Sequence, residues 1–133
     1  MNFNVLFIDD DAFMLKALLI IGKRLKPDWH FFGCEHSSEW LKVAKDIAPL
    51  DLIICDYQMP EMNGEQVLFQ AKKACPTAVR VLLTGDISEE MLKKAVQFSH
   101  HIVGKPFSEQ DILRVFESVI QFKRKPFDTA IFN

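Results

Sequence analysis

The sequence predicts an α/β domain: an open, doubly wound, five-stranded parallel sheet with helices on both faces. Two observations carry that expectation. Five short apolar runs alternate with five stretches of helical period, and this alternation builds parallel sheets joined by crossover helices. Four of the five runs also end in a polar group, at Asp9 and Asp10, Asp56, Thr84 and Lys105. Parallel strands bring such ends to one edge, where open α/β sheets bind ligands.

Val5 to Ile8 is the first run, followed by three aspartates, Asp9, Asp10 and Asp11. A helix from Ala12 to about Lys26 follows, with Asp11 as its N-cap. Leu15, Leu18, Leu19, Gly22 and Leu25 form its core face, and Pro27 with Asp28 ends it. Phe13 and Ile20 fall instead on its basic side, beside Lys16, Lys23 and Arg24. That side reads either as a contact surface or as ordinary isolated exposure.

His30 to Cys34 is a weaker strand. Ser37 and Ser38 offer caps for a helix to about Ile47, with Trp40, Leu41, Ala44 and Ile47 inward. Leu52 to Cys55 suits a strand buried on both faces; it delivers Asp56 to a loop marked by Pro60 and Asn63-Gly64. Asn63 with Gln66 makes a capping box for a helix from Gly64 to about Ala74. Val79 to Thr84 is β-branched and strand-like, and Ser88, with Glu89 and Glu90, opens a helix to about Phe98. Ile102-Val103 is the fifth strand. Ser108 with Asp111 caps the last helix, whose inward face is Ile112, Val115, Phe116, Val119 and Ile120. Right-handed crossovers leave few topologies, and the flavodoxin-like strand order 2-1-3-4-5 is the natural one.

Composition narrows the function classes. The 133 residues suffice for one domain, expected over residues 1–122 with 123–133 as a C-terminal tail or linker. A net charge of -2 gives no general attraction to nucleic acid or anionic lipid. Lys123-Arg124-Lys125 is read as the end of a helix or the start of a linker, not a nucleic-acid site. Three cysteines in no C-x-x-C pattern argue against a disulfide framework or a zinc site, and Cys34 and Cys55 read as small core residues. His100 and His101 are consecutive, so on a strand they face opposite ways and cannot share a metal. No run spans a membrane and no basic signal segment leads the chain. The expected location is cytoplasmic.

Each strand-end residue has an unremarkable reading: a helix cap, a hydroxyl satisfying the backbone, a solvated lysine. Together they suit phosphoryl transfer. A carboxylate can take a phosphoryl group as an aspartyl phosphate. Magnesium, held by one or two carboxylates, offsets the repulsion between two anions. A lysine and a hydroxyl engage phosphate oxygens.

The stretch Asp56-Tyr57-Gln58-Met59-Pro60-Glu61-Met62-Asn63-Gly64, with the acidic pair, Thr84 and Lys105-Pro106-Phe107, resembles the receiver domains of bacterial two-component response regulators. The resemblance runs from about Phe3 to Phe122. It implies Asp56 as phosphoacceptor, Thr84 as switch hydroxyl and Lys105 as phosphate-facing lysine. It implies magnesium held by Asp10 and Asp56 directly, by Asp9 through water and by the backbone carbonyl of Gln58. It further implies a phosphorelay protein fed by a sensor histidine kinase or histidine phosphotransfer protein, acting on an output domain or downstream protein. Such a domain is a phosphoacceptor that promotes only its own phosphorylation and dephosphorylation. A homodimer is compatible with the family. Gln58 and Asp86 fall where the family tunes phosphate lifetime. Ile102 departs from the pattern, because the family often has an aromatic there.

Two other readings compete. Asp9 and Asp11 fit the D-x-D of haloacid-dehalogenase-type phosphatases, but Phe13-Met14 stands where that family expects threonine or valine, and the chain is short for its cap. A degenerate receiver that only binds partners would not need the intact quintet.

Overall fold

The computed structural model describes residues 1–132, and the side chains through Arg124. Its elements are β1 (Asn4–Ile8), α1 (Ala12–Leu25), β2 (His30–Cys34), a 3-10 turn (Ser37–Glu39), α2 (Trp40–Ile47), β3 (Leu52–Asp56), α3 (Gly64–Ala74), β4 (Val79–Thr84), α4 (Glu89–Ala95), β5 (His101–Gly104) and α5 (Glu109–Phe132). The five strands form one all-parallel sheet in the order β2-β1-β3-β4-β5, as the sequence predicts.

Strand side chains alternate between two cores, because successive residues point to opposite faces. Val5, Phe7, Leu52, Ile54, Val81 and Leu83 face one layer, packed by Leu15 and Leu18 of α1 and by Ile112, Val115, Phe116 and Val119 of α5. Leu6, Ile8, Ile53, Cys55 and Leu82 face the other, with Trp40 and Ala44 of α2, Val67, Leu68 and Ala71 of α3, and Met91 and Ala95 of α4. The central strands β3 and β4 are buried along their whole length. They hold whatever their carboxyl ends carry on fully buried strands.

The caps follow the chemistry of their residues. Asp11 accepts from Phe13 and Met14 N–H at the start of α1. Asn63 and Gln66 form a reciprocal box at α3, and Ser108 and Asp111 do so at α5. Ser88 caps α4. Three expectations are corrected. Ser37 and Ser38 cap nothing: Ser37 Oγ accepts from Met62 N–H and Ser38 Oγ donates to Glu61, tying the β2–α2 loop to the loop after Asp56. Helix α4 stops at Ala95, short of Phe98, because Gln97 and Phe98 N–H turn back to the carbonyls of Lys94 and Ala95. The basic run does not mark the end of a helix: Lys123 lies inside α5, pairs with Asp51 at 3.2 Å and donates to the Thr77 carbonyl.

Among the described residues no helix is long and apolar enough to cross a membrane. Cys34 and Cys55 are buried and unpaired, and burial, the largest influence on each, raises both thiol pKa values. Phe13 and Ile20 are exposed.

His100 has a structural role that a sequence pattern does not reveal. Its Nδ1 accepts from Arg80 N–H at 2.9 Å and its own N–H donates to the Arg80 carbonyl, so the imidazole continues the β4–β5 pairing. Burial, then the charge of Arg80, holds its pKa below the ordinary 6.5. A base whose folded pKa is depressed binds fewer protons folded than unfolded, so stability is lost as pH falls through and below about 6.5. The effect is modest because part of the ring meets solvent. His100→Asn keeps an acceptor but cannot titrate. Its melting temperature is expected to fall less than that of wild type between pH 7 and pH 5.5; parallel curves would contradict this role.

Candidate functional site at the carboxyl edge of the sheet

The sheet order makes β1, β3, β4 and β5 neighbours, so their carboxyl ends meet. The residues there line a cleft of about 570 Å³ that includes Asp9, Asp10, Asp56, Gln58, Thr84 and Lys105. Every sequence-predicted site residue therefore falls in one place.

Asp9 extends β1, its N–H donating to the Cys34 carbonyl. It is fully buried. Its Oδ1 accepts from Asp11 N–H at 2.9 Å, while Oδ2 has no hydrogen-bond partner. Asp10 beside it is exposed, and Asp11 is spent on the helix cap. Asp56 closes β3 and is buried, and its Oδ1 accepts from Lys105 Nζ at 2.8 Å. Lys105 follows β5, joined to Pro106 by a cis peptide bond. Its backbone N–H donates to the Thr84 carbonyl, which sets where the side chain starts, and its Nζ lies 3.7 Å from Asp9 Oδ2. Thr84 ends β4, and its Oγ1 accepts from Asp86 N–H at 3.0 Å. The hydroxyl is thus engaged with its own loop and not with Asp56.

Burial is the main reason the Asp9 carboxyl is held above its usual range, with the charges of Asp56 and Asp10 adding to it against the Asp11 N–H and Lys105. For Lys105 burial is again the largest influence and acts to lower its pKa. The hydrogen bond and charge of Asp56, with Asp9, together outweigh it and leave the ammonium above its usual value. One cation thus faces three carboxylates, so the site carries excess negative charge.

Carboxylate oxygens of Asp9, Asp10 and Asp56 lie within 4.8 Å of one another. Hard oxygen donors of this kind, one of them a buried atom with no hydrogen-bond partner, fit a divalent cation such as magnesium. The carboxylates would hold it, with Gln58 on the cleft wall to supply a carbonyl.

The glycine of the loop motif is explained by space and not by conformation. No glycine has a positive φ, yet a Cβ on Gly64 would sit 2.6 Å from the Asp56 carbonyl oxygen and 2.8 Å from Leu82 Cδ1. The α3 N-terminus is packed directly on the strand end that carries Asp56. Sequence reasoning missed one group at the rim, Lys94, whose Nζ donates to the Tyr57 hydroxyl at 2.9 Å. Nothing in the spacing of Tyr57 and Lys94 signals that contact.

Comparison with known proteins agrees with this geometry. Residues 5–117 match the family described as response regulator receiver domain. The chain is 25% identical over 125 residues to Stress response regulator protein 1 of Meyerozyma guilliermondii, covering 90% of this chain and 57% of that protein. A receiver domain protein of Methanospirillum hungatei superposes with a TM-score of 0.84 at 20% identity, over 94% of this chain and 99% of the other. A Rhodopirellula baltica structure described as adenylate cyclase gives 0.82 at 25% identity, over 99% and 97%. The chemotaxis protein CheY4 of Vibrio cholerae gives 0.80 at 20%, over 90% and 99%.

Proposed function

Because the chain belongs to the response regulator receiver domain family of two-component signalling, we propose that it accepts a phosphoryl group on Asp56 from a phosphohistidine donor and relays the event as a change of conformation. The observation that carries this reading is the convergence of Asp56, the acidic pair, Thr84 and Lys105 in one cleft. Asp56 is the buried carboxylate whose oxygen lies against the lysine ammonium. Asp56 acts as nucleophile, forming the bond from a carboxylate oxygen to phosphorus as the donor's phosphorus–nitrogen bond breaks. Lys105, already at 2.8 Å, is placed to meet a phosphoryl oxygen with a charge-assisted hydrogen bond. Bound magnesium would supply positive charge to offset repulsion between the carboxylate and the incoming anion. Asp9 and Asp10 hold the negative charge that recruits it.

Thr84 turns from its own loop toward the new oxygens and draws the segment before Ser88 with it. Lys105 is held by the same group, so two loops respond to one event. The surface so altered spans α4 and β5 and is read by an output domain or separate partner. Residues 1–122 are the receiver, 123–133 a tail or linker, and the chain works in the cytoplasm. It catalyses nothing beyond its own phosphorylation and dephosphorylation. The chain spans 57% of the length of the Meyerozyma guilliermondii relative.

Incubation with magnesium and acetyl phosphate, followed by intact mass, tests the proposal. One phosphoryl adduct is expected; continuous release of phosphate without adduct, or no reaction, would overturn it. Magnesium alone should raise the melting temperature, because the unfolded chain lacks the site; at ten times the dissociation constant the linkage is about 1.4 kcal/mol. In Asp10→Ala this shift should largely vanish. An unchanged shift would remove Asp10 from the cation site.

A further inference from the structure

Helix α4 has seven residues and is held unevenly. It buries Met91 and Ala95 but leaves Leu92, and Val96 at its C-cap, exposed. Beyond its C-terminus the chain is anchored: Phe98 is buried and its carbonyl accepts from Arg80 Nε at 3.0 Å, while His100 bonds Arg80 through both backbone and ring. Before its N-terminus lies the loop from Thr84, where a Cβ on Gly85 would meet nothing within 4 Å. The helix is thus fixed at its far end and joined to the cleft by an uncrowded segment.

One side chain spans the gap. Lys94 Nζ donates to the Tyr57 hydroxyl at 2.9 Å, pairs with Glu65 at 3.1 Å and lies 5.3 Å from the Tyr57 ring centroid. Tyr57 directly follows Asp56, and Glu65 is in the first turn of α3. A single ammonium therefore bolts α4 to the loop that follows the acceptor and to the helix behind it. The hydrogen bond that Lys94 donates to Tyr57, then the one it donates to Glu65, raises the Lys94 pKa, so the charged form favours the contact.

We propose that Lys94, through Tyr57 and Glu65, is an autoinhibitory latch that holds α4 in its unphosphorylated position. The inference rests on the phosphoacceptor reading of Asp56. A group on Asp56 that draws Thr84 inward must move the segment leading into α4, and the Lys94 contacts oppose that movement. Whatever free energy they contribute to the resting state is subtracted from the phosphate's differential contacts with the two states. Releasing the latch raises the fraction of chains ready for the group, and apparent affinity rises by the same factor.

The full chain with Lys94→Met, Tyr57→Phe and both together provides the test. Beryllofluoride with magnesium serves as phosphoryl mimic, and amide exchange is followed over residues 87–103. Without the mimic, Lys94→Met should exchange about two- to fivefold faster in α4, the range expected for a partly exposed charged pair. Its beryllofluoride midpoint should fall by a similar factor. Tyr57→Phe keeps the ring and the Glu65 pair, so it should shift both readouts the same way but less. The double variant should match Lys94→Met, because both changes remove one shared interaction. Exchange and midpoint unchanged in Lys94→Met, or a higher midpoint, would overturn the latch. A wild-type chain that takes up neither beryllofluoride nor phosphoryl group would defeat the phosphoacceptor reading instead, and the exchange comparison would then decide the latch by itself.

Discussion

Asp56→Asn is expected to lose the acetyl phosphate adduct entirely while remaining folded. An amide keeps the shape of the carboxyl group and an oxygen that can accept from Lys105 Nζ, now 2.8 Å from Asp56 Oδ1. It lacks the anionic oxygen that attacks phosphorus. The neighbouring carboxylates are poor substitutes. Asp9 is buried with Oδ1 committed to Asp11 N–H, and Asp11 is committed to the α1 cap. Asp10 is exposed to water and lies off the end of a strand that does not adjoin β4 or β5. Intact mass followed by tryptic mapping measures the effect. Wild type should carry one adduct on the peptide containing Asp56, and the variant should show none above background. Full labelling of Asp56→Asn would sink the assignment, and an adduct moved to Asp10 would show that the cleft, and not this carboxylate, selects the acceptor.

Gly64→Ala is expected to be the most damaging single-methyl change at the site. The added Cβ would lie 2.6 Å from the Asp56 carbonyl oxygen and 3.0 Å from Tyr57 Cα, both backbone atoms of the strand end, and 2.8 Å from Leu82 Cδ1. Gly64 N–H also donates to the Tyr57 carbonyl at 2.8 Å, which holds the two segments together. Backbone on both sides cannot rotate away as a side chain could, so either α3 or the end of β3 must move. Overpacking of this kind costs about 1–3 kcal/mol. The gain in helix propensity from alanine, up to about 1 kcal/mol, offsets only part of it. Gly85→Ala is the control, since nothing lies near its Cβ and its φ is not positive. It should stay within about 0.5 kcal/mol of wild type. Thermal or urea unfolding decides between them. Equal melting of Gly64→Ala and wild type would show that the close approach is not rigid. The adduct yield should fall in Gly64→Ala even below its melting transition, because Asp56 shares the displaced backbone.

The sequence by itself determined the strands, the helices, their order in the sheet and the residues of the cleft. The reason is periodicity and position. Short apolar runs on β1, β3 and β4 and helical spacing on α5 are written locally in Val5–Ile8, Leu52–Cys55, Val79–Thr84 and Ile112–Ile120. Asp9, Asp56, Thr84 and Lys105 are legible because each ends or directly follows its own strand. The right-handed rule for crossovers then brings those ends together without any knowledge of side-chain contacts. Caps at Asp11, Asn63, Ser88 and Ser108 were readable for the same reason, as they bond within three residues. Tertiary structure alone decided what depends on residues distant in the chain. Ser37 bonds Met62 instead of capping α2, because a nearby loop offers a backbone N–H. His100 completes a pairing with Arg80, 20 positions earlier. Gly64 is required because α3 presses on the strand it follows. Lys94 reaches Tyr57 across 37 positions. Such contacts carry no period and no turn chemistry; they exist only once packing has set the distances between elements.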